Sequence, residues 1–246
     1  MPLPVAQLVK SAGNTIATFS VIAHHTNPSA TLYYQWMKDW LGTEIQGANS
    51  ATFIINPVTA NDSNIYWCKI TNNVDDNVAI SNLIVLAASI LDNIELQMKV
   101  AILGMTVAGG YNWDWQTVNQ PDEAIGDFPR ALIASPAETC KDDPNGPNSQ
   151  TYTNEVLFVV DVKGSQAWSA NANFTIRSNL RTALDDLKML FGNNSSINDS
   201  CFEIMYRSSQ IIAINQNDIQ RPGYMRTQWL CRYGQDRLIP MQVASS

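Results

Sequence analysis

The sequence predicts two globular parts in tandem: an all-β sandwich, then an α+β domain with helices packed on an antiparallel sheet. Three observations predict it. Residues 1–88 hold short stretches of alternating apolar and polar residues, broken by turn residues at intervals of about ten. After "LIVLAAS" the apolar spacing lengthens to the helical period. The remainder then reads helix, strand, strand, helix, strand, strand, the order of an α+β domain.

In the first part the strand candidates are "TIATFSVIA", "TLYYQWMKD", "ATFIINPV", "IYWCKITN" and "AISNLIVLA". Trp36 and the series Asp62, Asn64, Tyr66, Cys68 narrow the class. A tyrosine two residues before a cysteine can tie the preceding turn to the backbone through its hydroxyl, and Asp62 is placed to cap that turn. In immunoglobulin-like domains, which these residues resemble, a first cysteine precedes the buried tryptophan by about fifteen residues. Here that position is Val21, and no cysteine stands before Cys68. Cys68 is therefore expected as a free, buried thiol packed on Val21 and Trp36, acting as a small apolar side chain. The other cysteines, Cys140, Cys201 and Cys231, are too widely spaced for a disulfide framework, so all four are expected reduced.

The run "GTEIQGANSATFIINPVTANDSNIYWCKITN" resembles immunoglobulin-like domains of the I-set kind, in the cysteine-depleted form of bacterial and phage proteins. The resemblance covers residues 13–87 and implies an adhesive or spacer module with a core around Val21, Trp36, Tyr66 and Cys68. It departs from the family in lacking the first cysteine and in having Asn64 where Gly or Ala is common.

The domain boundary is expected at 88/89, with a linker of two or three residues, giving domains 1–88 and 89–246. "SILDNIELQMKVAILGM" places Leu91, Ile94, Met98, Ala101 or Ile102, and Met105 on one helix face. Ser89 and Asp92 form a capping-box pattern, and Gly104 with Gly109-Gly110 ends the helix. "DFPRALIAS" and "TNEVLFVVDVKG" read as strands, the second with Val156, Phe158, Val160 and Val162 on one face. "KDDPNGPNSQ" between them is a turn or loop. In "NANFTIRSNLRTALDDLKMLFGNN", Ile176, Leu180, Ala183 or Leu184, Leu187 and Phe191 make the apolar stripe. Asn171 or Asn173 caps its start and Gly192 its end. "CFEIMYRSSQIIAIN" and "RTQWLCRYGQDRLIP" close the domain as two strands.

A helix ending in "GGY", a strand opening "FPRALI", a long strand, a helix "LRTALDDLKMLFG" and a closing strand pair resemble the tail terminator, or tail completion, proteins of long-tailed bacteriophages. The resemblance covers residues 90–243 and rests on element order and short signatures. It implies a homo-oligomeric ring, usually of six copies, that caps the tail tube and offers a surface to the head-side connector. It also implies a place in the virion, in the tail or neck, after assembly in the host cytoplasm. DNA would only pass through the ring. The appended first domain is a departure from the family.

Composition bounds the alternatives. A net charge of −7 argues against general nucleic-acid binding. The start, "MPLPVAQLVKSAGN", lacks the pattern of a signal peptide, and no apolar run has the length of a membrane helix. No Walker loop, G-x-S-x-G or H-E-x-x-H is present, and residues 89–246 contain no histidine. No enzyme, metal or cofactor is therefore expected. His24-His25 has no matching ligand spacing and reads as a strand-end or loop pair. Cys140 beside Lys141 has no base partner and reads as a loop cysteine. Asp185 and Asp186 point about 100° apart on a helix and read as its solvated face. Trp40 and Trp67 have two readings: sugar stacking, with host surface glycans as a partner, or cross-strand packing, which is favoured.

The C-terminal end of this acidic chain is basic. Arg207, Arg221, Arg226, Arg232 and Arg237 face only Asp218 and Asp236. A hairpin with ordinary salt bridges, a subunit interface and contact with passing DNA phosphate compete to explain it, in that order. The class competing with a tail ring is an immunoglobulin-like adhesin or decoration protein, anchored to capsid or baseplate by its C-terminal half.

Overall fold

The computed structural model describes residues 5–11, 14–75, 77–87, 89–118, 130–134, 138–140, 151–164, 172–197, 201, 203–213 and 223–236. Among the described residues the chain is mainly β, with three sheets and two α-helices. It divides into two compact units, residues 1–96 with 243–246, and residues 97–242. The division falls inside a helix that begins at Ile90.

The first unit holds β1 (Val5–Ser11), β2 (Asn14–Ser20), β3 (Leu32–Lys38), β4 (Thr43–Glu44), β5 (Thr52–Ile55), β6 (Asn64–Asn72), β7 (Ala79–Ile80) and β8 (Ile84–Leu86). One sheet has the order β1-β2-β5, and the other β4-β3-β6-β7 with β8 also on β6. Every pairing is antiparallel. Alternation decides which side chains go in. On β6, Tyr66, Cys68 and Ile70 are buried, while Trp67, Lys69 and Thr71 between them are half-buried. The core joins both sheets: Ala17 and Phe19 of β2, Trp36 of β3, the β6 residues, and Ile84 and Leu86 of β8, with Val21 just beyond β2.

Trp36 is 0 % exposed and lies directly opposite Cys68 in the β3–β6 register. Its ring packs 5.9 Å from Phe19 and 6.1 Å from Phe53, and its indole N–H donates to the Ser50 carbonyl at 2.8 Å. The Tyr66 hydroxyl donates to the Asp62 carbonyl at 2.9 Å. The Asp62 carboxylate accepts from the Thr59 amide and hydroxyl, closing the turn before β6. Cys68 is a free thiol, and burial pushes its pKa up to about 11.

Between β3 and β4 the chain reverses at Asp39, whose carboxylate accepts from the Gly42 amide and the Thr43 hydroxyl. Gly42 has φ +85°, and a Cβ there would meet the Trp67 ring at 3.1 Å. Glycine is required on both counts.

The helix α1 (Ile90–Leu103) spans the division between the units. Ile94, Met98 and Ile102 are fully buried at helical spacing, and Met105 just past the helix is too. Ser89 caps the helix, its hydroxyl accepting the Asp92 amide at 3.0 Å. The expected reciprocal box takes another form, because the Asp92 carboxylate accepts from the Ser63 hydroxyl at 3.0 Å.

The second unit is built on β9 (Gln116–Val118), β10 (Arg130–Ala134), β11 (Glu138–Cys140), β12 (Thr151–Gly164), β13 (Glu203–Ala213) and β14 (Gly223–Asp236), with α2 (Ala172–Asn193). The sheet order is β13-β14-β12-β10-β9, with β11 on β12. It is antiparallel except for the parallel pair β9–β10. Phe158, Val160 and Val162 of β12 share one face with Met225, Thr227 and Trp229 of β14, and all six are buried. The helix α2 covers this face, with Phe191 edge-on to Trp229 at 4.5 Å. Four of the described strands were not foreseen: β1, β4, β9 and β11. Cys140 closes β11 rather than lying in a loop.

Candidate subunit interface

Four strands of the second unit carry a face on the side of the sheet opposite α2. Alternation puts Leu157, Val159 and Asp161 of β12 there, with Arg226, Gln228, Leu230 and Arg232 of β14. Met205 and Glu203 of β13 and Leu132 of β10 share it. The rows follow from the register. Leu157, Leu230 and Met205 form an apolar row across three strands. Val159, Gln228 and Ser208 form the next, where the Ser208 hydroxyl donates to the Gln228 side-chain oxygen at 2.7 Å.

An ion pair stands on either side of these rows. Arg226 grips Asp161 with two parallel bonds of 2.8 Å, Nε to Oδ1 and Nη2 to Oδ2. Arg232 pairs with Glu203 directly across from it. Both are ordinary cross-strand pairs, the first of the three roles expected for the basic end. Exposed pairs of this kind contribute about 0–1 kcal/mol, so they mark the borders of the face more than they stabilise the sheet. Arg207 is the extra residue in a β-bulge between Tyr206 and Ser208, and it is exposed. Arg221 and Arg237 lie outside the described residues, as do residues 119–129 and 141–150. The described arginines therefore do not form one cluster: two border the face and one sits on the bulge.

The apolar row was missed in the sequence, although a signal was present. "VLFVV" and "QWLC" are apolar at both strand parities, the pattern of a strand with apolar contacts on both faces.

A second departure concerns Asp186. It was expected on a solvated helix face, but it is 1 % exposed, while Asp185 is exposed. Its carboxylate accepts from the Asn112 amide, the Asn112 side chain at 2.7 Å and the Trp115 indole at 3.0 Å. The Trp115 amide donates to the Met105 carbonyl at 3.0 Å, so the segment after α1 is tied at both ends. Burying a carboxylate is costly unless hydrogen bonds replace its water, and these three donors do so.

The remaining candidates have local roles. The His25 ring accepts the Asn27 amide at Nδ1 (3.0 Å) and lies 3.3 Å from Asp75 through Nε2, as part of a loop contact. Asp75 is held at about 2, below the usual carboxylate range, chiefly by the Asn72 side chain and also by the Asn77 amide. The Trp67 indole donates to the Asp39 carbonyl at 2.8 Å, which packs this ring on its own unit. Among the described residues no group of three or more His, Cys, Asp or Glu is placed to hold a metal ion, and no helix is long and apolar enough to cross a membrane. No family model matches the sequence, and no curated protein does.

Proposed function

We propose that the protein is a structural virion subunit of a tailed bacteriophage. Residues 89–246 act as a tail-terminator-like domain whose copies close into a ring, and residues 1–88 are an immunoglobulin-like module carried on its outside. The ring ends the tail tube on one side and meets the head-side connector on the other, so function comes from geometry. A closed ring repeats one heterologous contact until it closes.

The observation that carries this reading is the face opposite α2. An apolar centre bordered by charged residues has the anatomy of a protein–protein contact. The half-buried Leu157 and Met205 supply the centre, on either side of Leu230, which is itself buried at 8 % exposed, and the Arg226–Asp161 and Arg232–Glu203 pairs supply the border. Support also comes from the element order of the second unit. For the first unit, support comes from two antiparallel sheets sharing one core, the Trp36–Cys68 juxtaposition and the tyrosine tied to Asp62.

The test is a chain beginning at Ser89, mixed with tail tubes and imaged in negative stain. It is expected to cap tube ends, or to form rings when concentrated. Binding of the virion by residues 1–88, with the second domain inert, would reverse the roles.

One observation favours the adhesin alternative. The outer face of β3, β6 and β7 exposes Tyr33 (53 %) and Ile80 (50 %) around Lys69 and Thr71, with Val78 (53 %) at its edge. Measured binding of a glycan that is lost in Tyr33→Ala would support that role.

A further inference from the structure

Two loops at one end of the first unit meet through a histidine. The β2–β3 loop carries His25 and Asn27, and the β6–β7 loop carries Asn73 and Asp75. At their base the Thr31 amide donates to the Asn73 side-chain oxygen at 2.8 Å, beside the paired residues Leu32 and Asn72. Further out, the His25 ring is used at both nitrogens. Nδ1 accepts the Asn27 amide at 3.0 Å, and Nε2 lies 3.3 Å from Asp75 Oδ2. An acceptor nitrogen carries no hydrogen, so the proton of the neutral ring is on Nε2 and is donated to Asp75. Asn27 in turn accepts from the Ser29 amide through its side chain at 2.9 Å and from the Ala30 amide through its carbonyl at 3.1 Å. The Asn27 turn therefore depends on a ring nitrogen that has to stay unprotonated.

We propose that His25 is a pH-operated latch between these loops: neutral, it holds the Asn27 turn, and protonated, it releases that turn and keeps Asp75. Histidine takes up its second ring proton between about pH 8 and pH 5. A proton on Nδ1 sets two N–H groups against each other at 3.0 Å, so the Asn27 contact changes from attraction to repulsion. The same proton makes the ring a cation facing a carboxylate. Asp75 is held at about 2, chiefly by the Asn72 side chain, so it stays ionised throughout that range and its contact with Nε2 becomes a charge-assisted bond. One bond strengthens as the other fails, so the ring stays on the β6–β7 loop while the Asn27 turn comes away. Among the described residues, Asp75 is the charged group in contact with the ring. His24 beside it is exposed, and Asp76 lies outside the described residues. The latch rests on neither reading of the protein's function.

The test uses the full chain with isotope-labelled histidine, whose two histidines give separate ring-nitrogen signals by NMR, assigned with His24→Gln. At neutral pH the His25 ring is expected to carry its proton on Nε2, and in acid to carry one on each nitrogen. Hydrogen exchange read by mass spectrometry then compares overlapping peptides from residues 24–31 at about pH 7.5 and about pH 5, each corrected for the intrinsic rate. Protection of the Asn27 amide should fall by roughly fivefold in acid, the effect of losing one ordinary hydrogen bond. The fall should persist in His24→Gln and vanish in His25→Ala. A proton on Nδ1 alone at neutral pH, equal protection at both pH values in the unaltered chain, or a fall that survives in His25→Ala would overturn the proposal. The ring signals and the exchange of the unaltered chain decide the matter even if a variant fails to fold.

Discussion

Replacing Trp36 with alanine removes the largest side chain in the core of the first unit. The ring is 0 % exposed, and Phe19 and Phe53 lean on it from 5.9 and 6.1 Å. Large-to-small changes of this kind cost about 3–5 kcal/mol. Two features place the cost in the upper half of that range. The aromatic neighbours belong to different strands held in fixed register, so they cannot collapse into the void. The Ser50 carbonyl also loses its indole donor, a loss of about 1 kcal/mol. Against a domain stability of about 5–15 kcal/mol, the first unit is left marginal or unfolded. The Trp36 cluster is confined to residues 17–86, so the effect should be local. Hydrogen exchange read by mass spectrometry separates the two units. Peptides from β3 and β6 are expected to lose protection while those from β12 and β14 keep theirs. A loss below about 1 kcal/mol, or equal deprotection of β12 and β14, would refute a separate core built on Trp36.

Two further outcomes follow from the polar contacts. Asp186→Ala strips the acceptor from the Asn112 amide, the Asn112 side chain and the Trp115 indole. It is expected to destabilise the second unit by about 3 kcal/mol in urea titration, and a change within error would show that the clamp carries no weight. Asp75 should titrate by NMR near 2, and Asn72→Ala should move it upward. Because its folded pKa lies below the ordinary value of about 3.9, its contribution to stability is present above that value and is lost as pH falls toward 2. A midpoint near 4 in the unaltered chain would contradict the Asn72 contact.

The parts of the fold visible in the sequence were those set by local periodicity. Trp36, Tyr66 and Cys68 stood out because strand alternation and the tyrosine–cysteine spacing are both local. The apolar stripes of α1 and α2 were equally plain. The strands β9 and β11 have three residues each, and β9 pairs in parallel with β10. Such pairing depends on tertiary placement rather than on pattern. Asp186 was misjudged because a charged residue on a helix was assigned to solvent. Its position contradicts that, since Ala183, Asp186, Leu187 and Leu190 follow the i, i+3, i+4, i+7 spacing of one face, and all four are buried. The arginines drew attention as charges, whereas the apolar row between their ion pairs was hidden in strands that are apolar on both faces.

The central claim is that copies associate through the face opposite α2, and sedimentation of the intact chain with and without charges in the apolar row tests it most directly. Leu157→Lys with Met205→Glu places polar groups in that row and leaves the α2-covered core alone. The unaltered chain is expected to form a closed oligomer as concentration rises, and the altered chain to stay monomeric with its circular dichroism spectrum unchanged. Equal assembly of both, or an unaltered chain that remains monomeric at every concentration and beside tail tubes, would contradict the account.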